Sequence, residues 1–207
     1  MSSSPLLVLG TGNKKKGLEL IDLLGPVGLT LKTLADFPTA ISVVEDGDTF
    51  AANATLKATR QARHLGKWVL GEDSGLAVDA LNGAPGVYSA RYSGEHATDE
   101  SNNRLLLERL DRLPRERRTA HYVCHAVLSD PEGNIQAESE DYCRGVLRAE
   151  PVGSGGFGYD PLFEIPEYHL TFAELGPVVK AALSHRARAV RKLIPRLMEL
   201  VDAGAWR

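Results

Sequence analysis

Hydrolysis of a phosphoanhydride needs a cradle for the anion, a divalent cation to offset charge, and a carboxylate that holds or deprotonates water. The sequence has candidates for all three. Glu45 sits in an acidic stretch with Asp46 and Asp48, and Glu72 and Asp73 are adjacent inside GEDSG, between apolar flanks. Hard oxygens from Glu45, Glu72 and Asp73 suit magnesium, whereas the histidines and cysteines fall at no spacing that suits zinc. An adjacent pair of acids is by frequency more often a turn feature than a catalytic site; its place at a strand end between small residues leaves both readings open. The cradle candidate is TGNKKK at 11–16, where glycine lets backbone approach a ligand and the following helix presents unpaired N–H groups. Asn13 adds a polar contact and Lys16 a point charge. Asn53 and Lys57, four apart on one helix flank, point the same way, near the loop bearing Glu45. A solvated flank accounts for that pair equally well.

The elements that must position these residues follow from periodicity. PLLVLG at 5–10 reads as a strand, then a tight turn, then a helix through Leu18, Ile21, Leu23 and Leu24 up to Gly25. Residues 48–65 read as a helix capped by Asp48 or Thr49 and stopped by Gly66, with Phe50, Ala54, Ala58, Ala62 and Leu65 along one face. WVLGEDSGLAVDAL reads as strand, acidic turn, strand. A helix runs from Thr98 to Leu110, and two strands near 119–129 and 136–148 flank the turn SDPEGN as an antiparallel hairpin. The glycine-rich GSGGFGYDP precedes a last helix from Ser184, in which Pro195 predicts a kink.

At 207 residues and 43% hydrophobic, the chain can bury its own core, and without repeats or linkers it reads as one domain over 1–207 with room for two lobes. A formal net charge of -3 provides no overall basic field, which excludes duplex nucleic acid on bulk electrostatic grounds and leaves a small anionic ligand. Charge is uneven: acids gather at 45–48, while His185, Arg186, Arg188, Arg191, Lys192 and Arg196 crowd one stretch near the end. These can be two solvated surfaces, or sites for a metal and for phosphate or base. Cys124 and Cys143 read as reduced thiols. Neither a basic leader nor a long apolar run is evident, so no membrane association and a cytoplasmic location are expected.

Five collinear segments, TGNKKK at 11–16, FAANATLKA at 50–58, GEDSGLAVDALNGAPGVYSARYSG at 71–94, GGFGYDPLF at 155–163 and SHRARA at 184–189, resemble the Ham1 family of inosine/xanthosine triphosphate pyrophosphatases. The resemblance covers nearly the whole chain. It implies an α/β fold, an elongated mixed sheet with flanking helices in two lobes around a central cleft, and a homodimer. It implies hydrolysis of ITP, dITP and XTP to the monophosphate and pyrophosphate with Mg2+. On it, Thr11, Gly12, Asn13, Lys14, Lys15 and Lys16 hold the triphosphate and Lys57 approaches it, with Asn53 nearby. Asp73 is general base and metal ligand beside Glu72, Glu45 also holds the metal, and Ser74 lies near substrate. Phe157, Gly158, Tyr159 and Asp160 surround the base, and Lys180, His185 and Arg186 complete its pocket. Stacking on Phe157 supplies affinity for any purine, so hydrogen bonds to a 6-oxo group must discriminate.

The chain departs from the family pattern at two places. Glu72 stands where an aspartate is common, which still suits magnesium, and Val178 and Val179 replace two usual glutamates before Lys180. Two other readings compete: a related pyrophosphatase for modified pyrimidine nucleotides, against which SHR and FGYD argue, and a nucleotide sensor without turnover, against which the complete acid and lysine set argues.

Overall fold

In the computed structural model, which describes residues 4–206, seven strands are ordered β2-β1-β3-β4-β5-β6-β7. Strand β1 (Leu6–Leu9) pairs in parallel with β2 (Thr30–Thr33) and β3 (Trp68–Val78), whereas β6 (Phe163–Ile165) is antiparallel to β5 (Ile135–Leu147) and β7 (Leu170–Thr171). Strand β4 is Thr119–Ser129. The sheet is therefore mixed, and with its helices the fold is α/β, as the family resemblance implied. By contacts the chain divides into two compact units: one holds residues up to Asp73, Cys124–Asp141 and Arg186 onward, the other Ser74–Val123 and Tyr142–His185.

In the first unit β1 is apolar throughout because both of its faces are covered, as parallel strands require. Leu7 and Leu9 pack with Leu20 and Leu24 of α1 (Lys14–Leu24) and with Val190, Leu193 and Leu197 of α5 (His185–Asp202). Val8 packs with Ala62 and Val69 on the other face. Helix α2 (Phe50–Leu65) starts on Thr49, whose hydroxyl accepts the Ala52 N–H at 3.1 Å, and stops at Gly66. Its Ala54 and Ala58 form a small-residue face, against which Gly71 of β3 seats without a side chain. A Cβ on Gly71 would lie 2.6 Å from the Ala58 nitrogen and 2.7 Å from the Ala54 oxygen. Helix and strand backbones thus meet directly. We expect Gly71→Ala to cost about 1–3 kcal/mol by overpacking, read as a lower urea midpoint; an unchanged midpoint would refute this close approach.

The second unit has its own core, in which Leu76, Val78, Leu106, Tyr122, Phe163 and Phe172 are buried together. Helix α3 (Asp99–Arg109) begins on a capping box between Thr98 and Ser101. Helix α4 (Phe172–Leu183) is similarly capped by Thr171 and Glu174, but Gly176 departs from helical geometry (φ 75°, ψ 171°) just before Pro177.

One expectation changes. The acidic turn between two strands is instead one continuous strand, with Glu72 and Asp73 buried inside β3. Polarity suggested a turn, but cations from other elements neutralise the acids where they lie. Pro195 lies inside α5, and in α4 the backbone also leaves helical geometry at Gly176, just before Pro177.

Candidate active site

Because α2 sits directly on β3, Lys57 of the helix reaches Asp73 of the strand. Its Nζ is 2.9 Å from Asp73 Oδ1 and 2.9 Å from Glu45 Oε2. Asn53, one turn earlier on α2 and buried, accepts the Gly47 N–H through Oδ1 at 2.9 Å and donates from Nδ2 to Asp73 Oδ2 at 3.3 Å. One carboxamide therefore ties the loop carrying Glu45 to the strand carrying Asp73. Burial raises the Asp73 carboxyl above the ordinary carboxylate value, the adjacent Glu72 charge works in the same direction, and the Lys57 and Lys16 ammoniums only partly offset both. Burial opposes the Lys57 charge, yet Glu72, Asp73 and Glu45 together raise its affinity for the proton. Lys57 is therefore an ammonium and Asp73 a carboxylate of unusual basicity.

Glu72 points to different partners. It is 0% exposed; Oε1 is 3.1 Å from the Lys16 ammonium, and Oε2 is 3.6 Å from the Arg186 guanidinium and from the Cys124 thiol. Burial alone would favour its neutral form, but Lys16, Arg186 and Lys57 hold it well below the usual carboxylate range. Arg186, fully buried, also pairs with Glu19 of α1. Expected among the catalytic residues and metal-suited oxygens, Glu72 has both oxygens turned to cations, an arrangement that fixes Lys16. Cys124 is held as a thiol, its acidity suppressed by burial and by the Glu72 charge. Asn13 caps α1, its Oδ1 accepting the N–H groups of Lys15 and Lys16 at 2.9 and 3.2 Å. Thr11 Oγ1 in turn accepts the Asn13 N–H at 3.2 Å. Gly12, Asn13, Lys14 and Lys15 are exposed and Lys16 partly so, which leaves this turn open to an anion.

The donor set fits magnesium. Among the described residues no three His, Cys, Asp or Glu side chains are grouped to cage an ion, but Glu45 and Asp73 converge on one positive charge. Two carboxylates with phosphate and water filling the remaining positions is the usual way magnesium is held.

In the second unit the glycine-rich loop carries Phe157, whose ring lies under the Lys180 ammonium at 4.4 Å from the centroid. Asp160, buried, organises this group: Oδ2 accepts the Phe157 N–H at 2.9 Å and pairs with Lys180, and Oδ1 accepts the Tyr122 hydroxyl at 3.4 Å. Tyr122 stacks on His185, centroids 4.7 Å apart and planes 9° apart. Tyr159 is buried and donates its hydroxyl to the Ser89 carbonyl at 2.8 Å. Ser74 is half-buried on β3, directly after Asp73.

The expected residues thus form two groups: Lys16, Glu45, Asn53, Lys57, Glu72, Asp73 and Arg186 in the first unit, and Phe157, Lys180, Asp160 and His185 in the second. Arg186 follows His185 in sequence, but its guanidinium engages Glu19 and Glu72. Sequence reasoning missed Glu19 and Tyr122. A signal for Glu19 existed, three residues after Lys16 on α1, but its partner is 167 positions away.

Residues 7–196 match the model of the Ham1 family. The chain is 57% identical over 199 residues, 96% of each protein, to a Rhodopirellula baltica protein named dITP/XTP pyrophosphatase. A solved HAM1 protein from Coxiella burnetii superposes with TM-score 0.85 at 36% identity, covering 94% of this chain and 99% of that one. A Mycobacterium abscessus nucleoside-triphosphatase / dITP/XTP pyrophosphatase does so with TM-score 0.73 at 42% identity, over 93% and 99%.

Proposed function

This chain belongs to the Ham1 family, and from that premise we propose that it hydrolyses non-standard purine nucleoside triphosphates, ITP, dITP and XTP, to the monophosphate and pyrophosphate. The observation that carries the reading is the Lys57 ammonium shared at 2.9 Å by the carboxylates of Glu45 and Asp73. Lys57, Lys16 and the N-terminal turn of α1 neutralise and orient the polyanion. Glu72 and Asn13 set Lys16 and the helix start before substrate arrives, so little ordering is left for binding. Asp73, raised in basicity by burial, takes the proton of the attacking water at a carboxylate oxygen as the water oxygen bonds to one of the two phosphorus atoms flanking the α–β bridge; that phosphorus loses its bond to the bridging oxygen, which leaves with the other phosphate so that monophosphate and pyrophosphate separate. Glu45 and Asp73 would hold magnesium, which when bound offsets the charge that develops on the phosphate oxygens. Asn53 keeps the Asp73 oxygens aimed. In the second unit, the Phe157 ring beneath the Lys180 ammonium is the group on which a base would stack.

The test is to incubate the protein with magnesium and equimolar ITP, XTP, GTP and ATP, and to measure pyrophosphate and monophosphate. ITP and XTP are expected to exceed ATP in kcat/KM by about 10² or more, because a donor that pairs with a 6-oxo group would meet an amine in adenine. Release of single phosphates, or no preference among purines, would end the proposal. A homodimer and a cytoplasmic location belong to the same reading; the first is measured by sedimentation. Among the described residues no helix is long and apolar enough to cross a membrane.

A further inference from the structure

Phe157 lies in GSGGFGYD, where four of the eight residues from 153 to 160 are glycine. Glycine loses more freedom on ordering than any other residue. A ring placed there would wander unless its backbone were tied. The ties come from side chains on both flanks. Asp160 Oδ2 accepts the Phe157 N–H. The next peptide is held from α3: Gly158 N–H donates to Asp99 Oδ2 at 2.8 Å, and Gly158 C=O accepts from Asn103 Nδ2 at 3.0 Å. Asp99 and Asn103 are four apart, so they share one helix face and grip both polar groups of a single residue. Gly158 itself has φ +62°, a conformation that an L side chain would resist. The Asn103 amide orientation is fixed by chemistry, since its oxygen would repel the Gly158 carbonyl. Asn103 is buried, whereas Asp99 is exposed at the first turn of α3.

We propose that Asp99 and Asn103 are positioning residues for base recognition, which lock Gly158 and thereby hold the Phe157 ring in place for a purine. The inference rests on the proposed function, because it deepens the role given there to Phe157. Neither residue touches the reacting phosphates on this reading; both act through the loop. Their loss weakens the base contact and leaves the phosphate chemistry alone.

The experiment uses the full chain and inosine 5′-monophosphate as calorimetric probe, with Asp99→Ala, Asp99→Asn and Asn103→Asp compared against wild type. Asp99→Asn keeps an acceptor for Gly158 N–H; Asn103→Asp removes the donor to its carbonyl. We expect Asp99→Ala and Asn103→Asp to weaken monophosphate binding about three- to tenfold each, to raise KM for ITP in parallel, and to leave kcat within about twofold. Asp99→Asn is expected to restore most of the affinity. Should Asn103→Asp fold poorly, the exposed Asp99 pair carries the test, with thermal melts alongside. Wild type that binds the probe while both variants bind it equally well overturns this inference alone, as does a fall in kcat without a change in KM. Wild type that neither binds the probe nor cleaves ITP overturns the function from which the inference starts.

Discussion

Asp73→Asn is expected to lower kcat on ITP by about 10²–10⁴, the range for loss of a positioned general base, and to leave the fold intact. The asparagine is nearly isosteric, so it fits the same place; its Oδ1 keeps one of the two accepted hydrogen bonds, from Lys57 or from Asn53, its Nδ2 faces the other donor, and Lys57 still has Glu45 as a partner. What disappears is the proton acceptor and one of the two oxygens suited to magnesium. Stability should move the other way. The Asp73 carboxyl is raised above its ordinary value, so at neutral pH the folded state holds an ion that burial disfavours. A neutral amide relieves that cost, and the melting temperature at neutral pH should be equal to or higher than wild type. Such opposition between activity and stability is common where charges are buried for chemistry. Pyrophosphate release and thermal melts on the same preparation decide the matter. Equal turnover in variant and wild type, or a marked drop in melting temperature with turnover preserved, would remove Asp73 from the proposed chemistry.

Arg186→Met should be the most damaging single change to stability, at about 3–5 kcal/mol, the usual cost of breaking a buried ion pair from one side. Its guanidinium is 1% exposed and serves Glu72, itself 0% exposed, together with Glu19. Removing it leaves Glu72 with Lys16 and a share of Lys57, drawing Lys16 inward and away from an incoming phosphate. KM for the triphosphate should therefore rise as well. The double variant Arg186→Met, Glu72→Met tests the cause: with the fully buried carboxylate gone and only the part-exposed Glu19 deprived of the guanidinium, it should recover much of the lost stability while KM stays high. The pH dependence has a fixed sign. Because Lys16 and Arg186 outweigh burial and hold Glu72 below the usual carboxylate range, its contribution is present above that range and is lost as pH falls through the depressed value. The gap in urea midpoint between wild type and Glu72→Gln should be constant near neutrality and shrink in acid. A gap that widens in acid would show that the assigned pairing is wrong.

Much of the fold was legible because its signals are local. A hydroxyl at Thr49, alanines at helical spacing and Gly66 announce α2 within one stretch of chain, and β1, its turn and α1 read equally directly from LLVLG, TGN and the leucines that follow. The site was half legible. Lys57 and Asn53 on one flank, and Asp73 between small residues, could be picked out by type and spacing. Glu72 could not be separated from Asp73 in this way, although the two are neighbours. Alternation along a strand sends them to opposite faces: Asp73 toward α2 and Lys57, Glu72 toward Lys16 and Arg186. Two adjacent acids that suggested a turn became an uninterrupted strand because cations from three helices meet them there.

The amino-acid order by itself determined which groups were available: a phosphate turn, two lysines, three acids, and an aromatic ring among glycines. It also set the helices and strands that carry them, through caps and periods a few residues long. Which acid faces Lys57, which became a strut for Lys16, and what ties the backbone beside Phe157 were decided only by tertiary contact. Those assignments depend on partners far apart in the chain, Glu72 with Arg186, Asp73 with Lys57, Gly158 with Asp99 and Asn103. A charge or a backbone amide acquires its chemical character from what is packed against it, not from its neighbours in sequence.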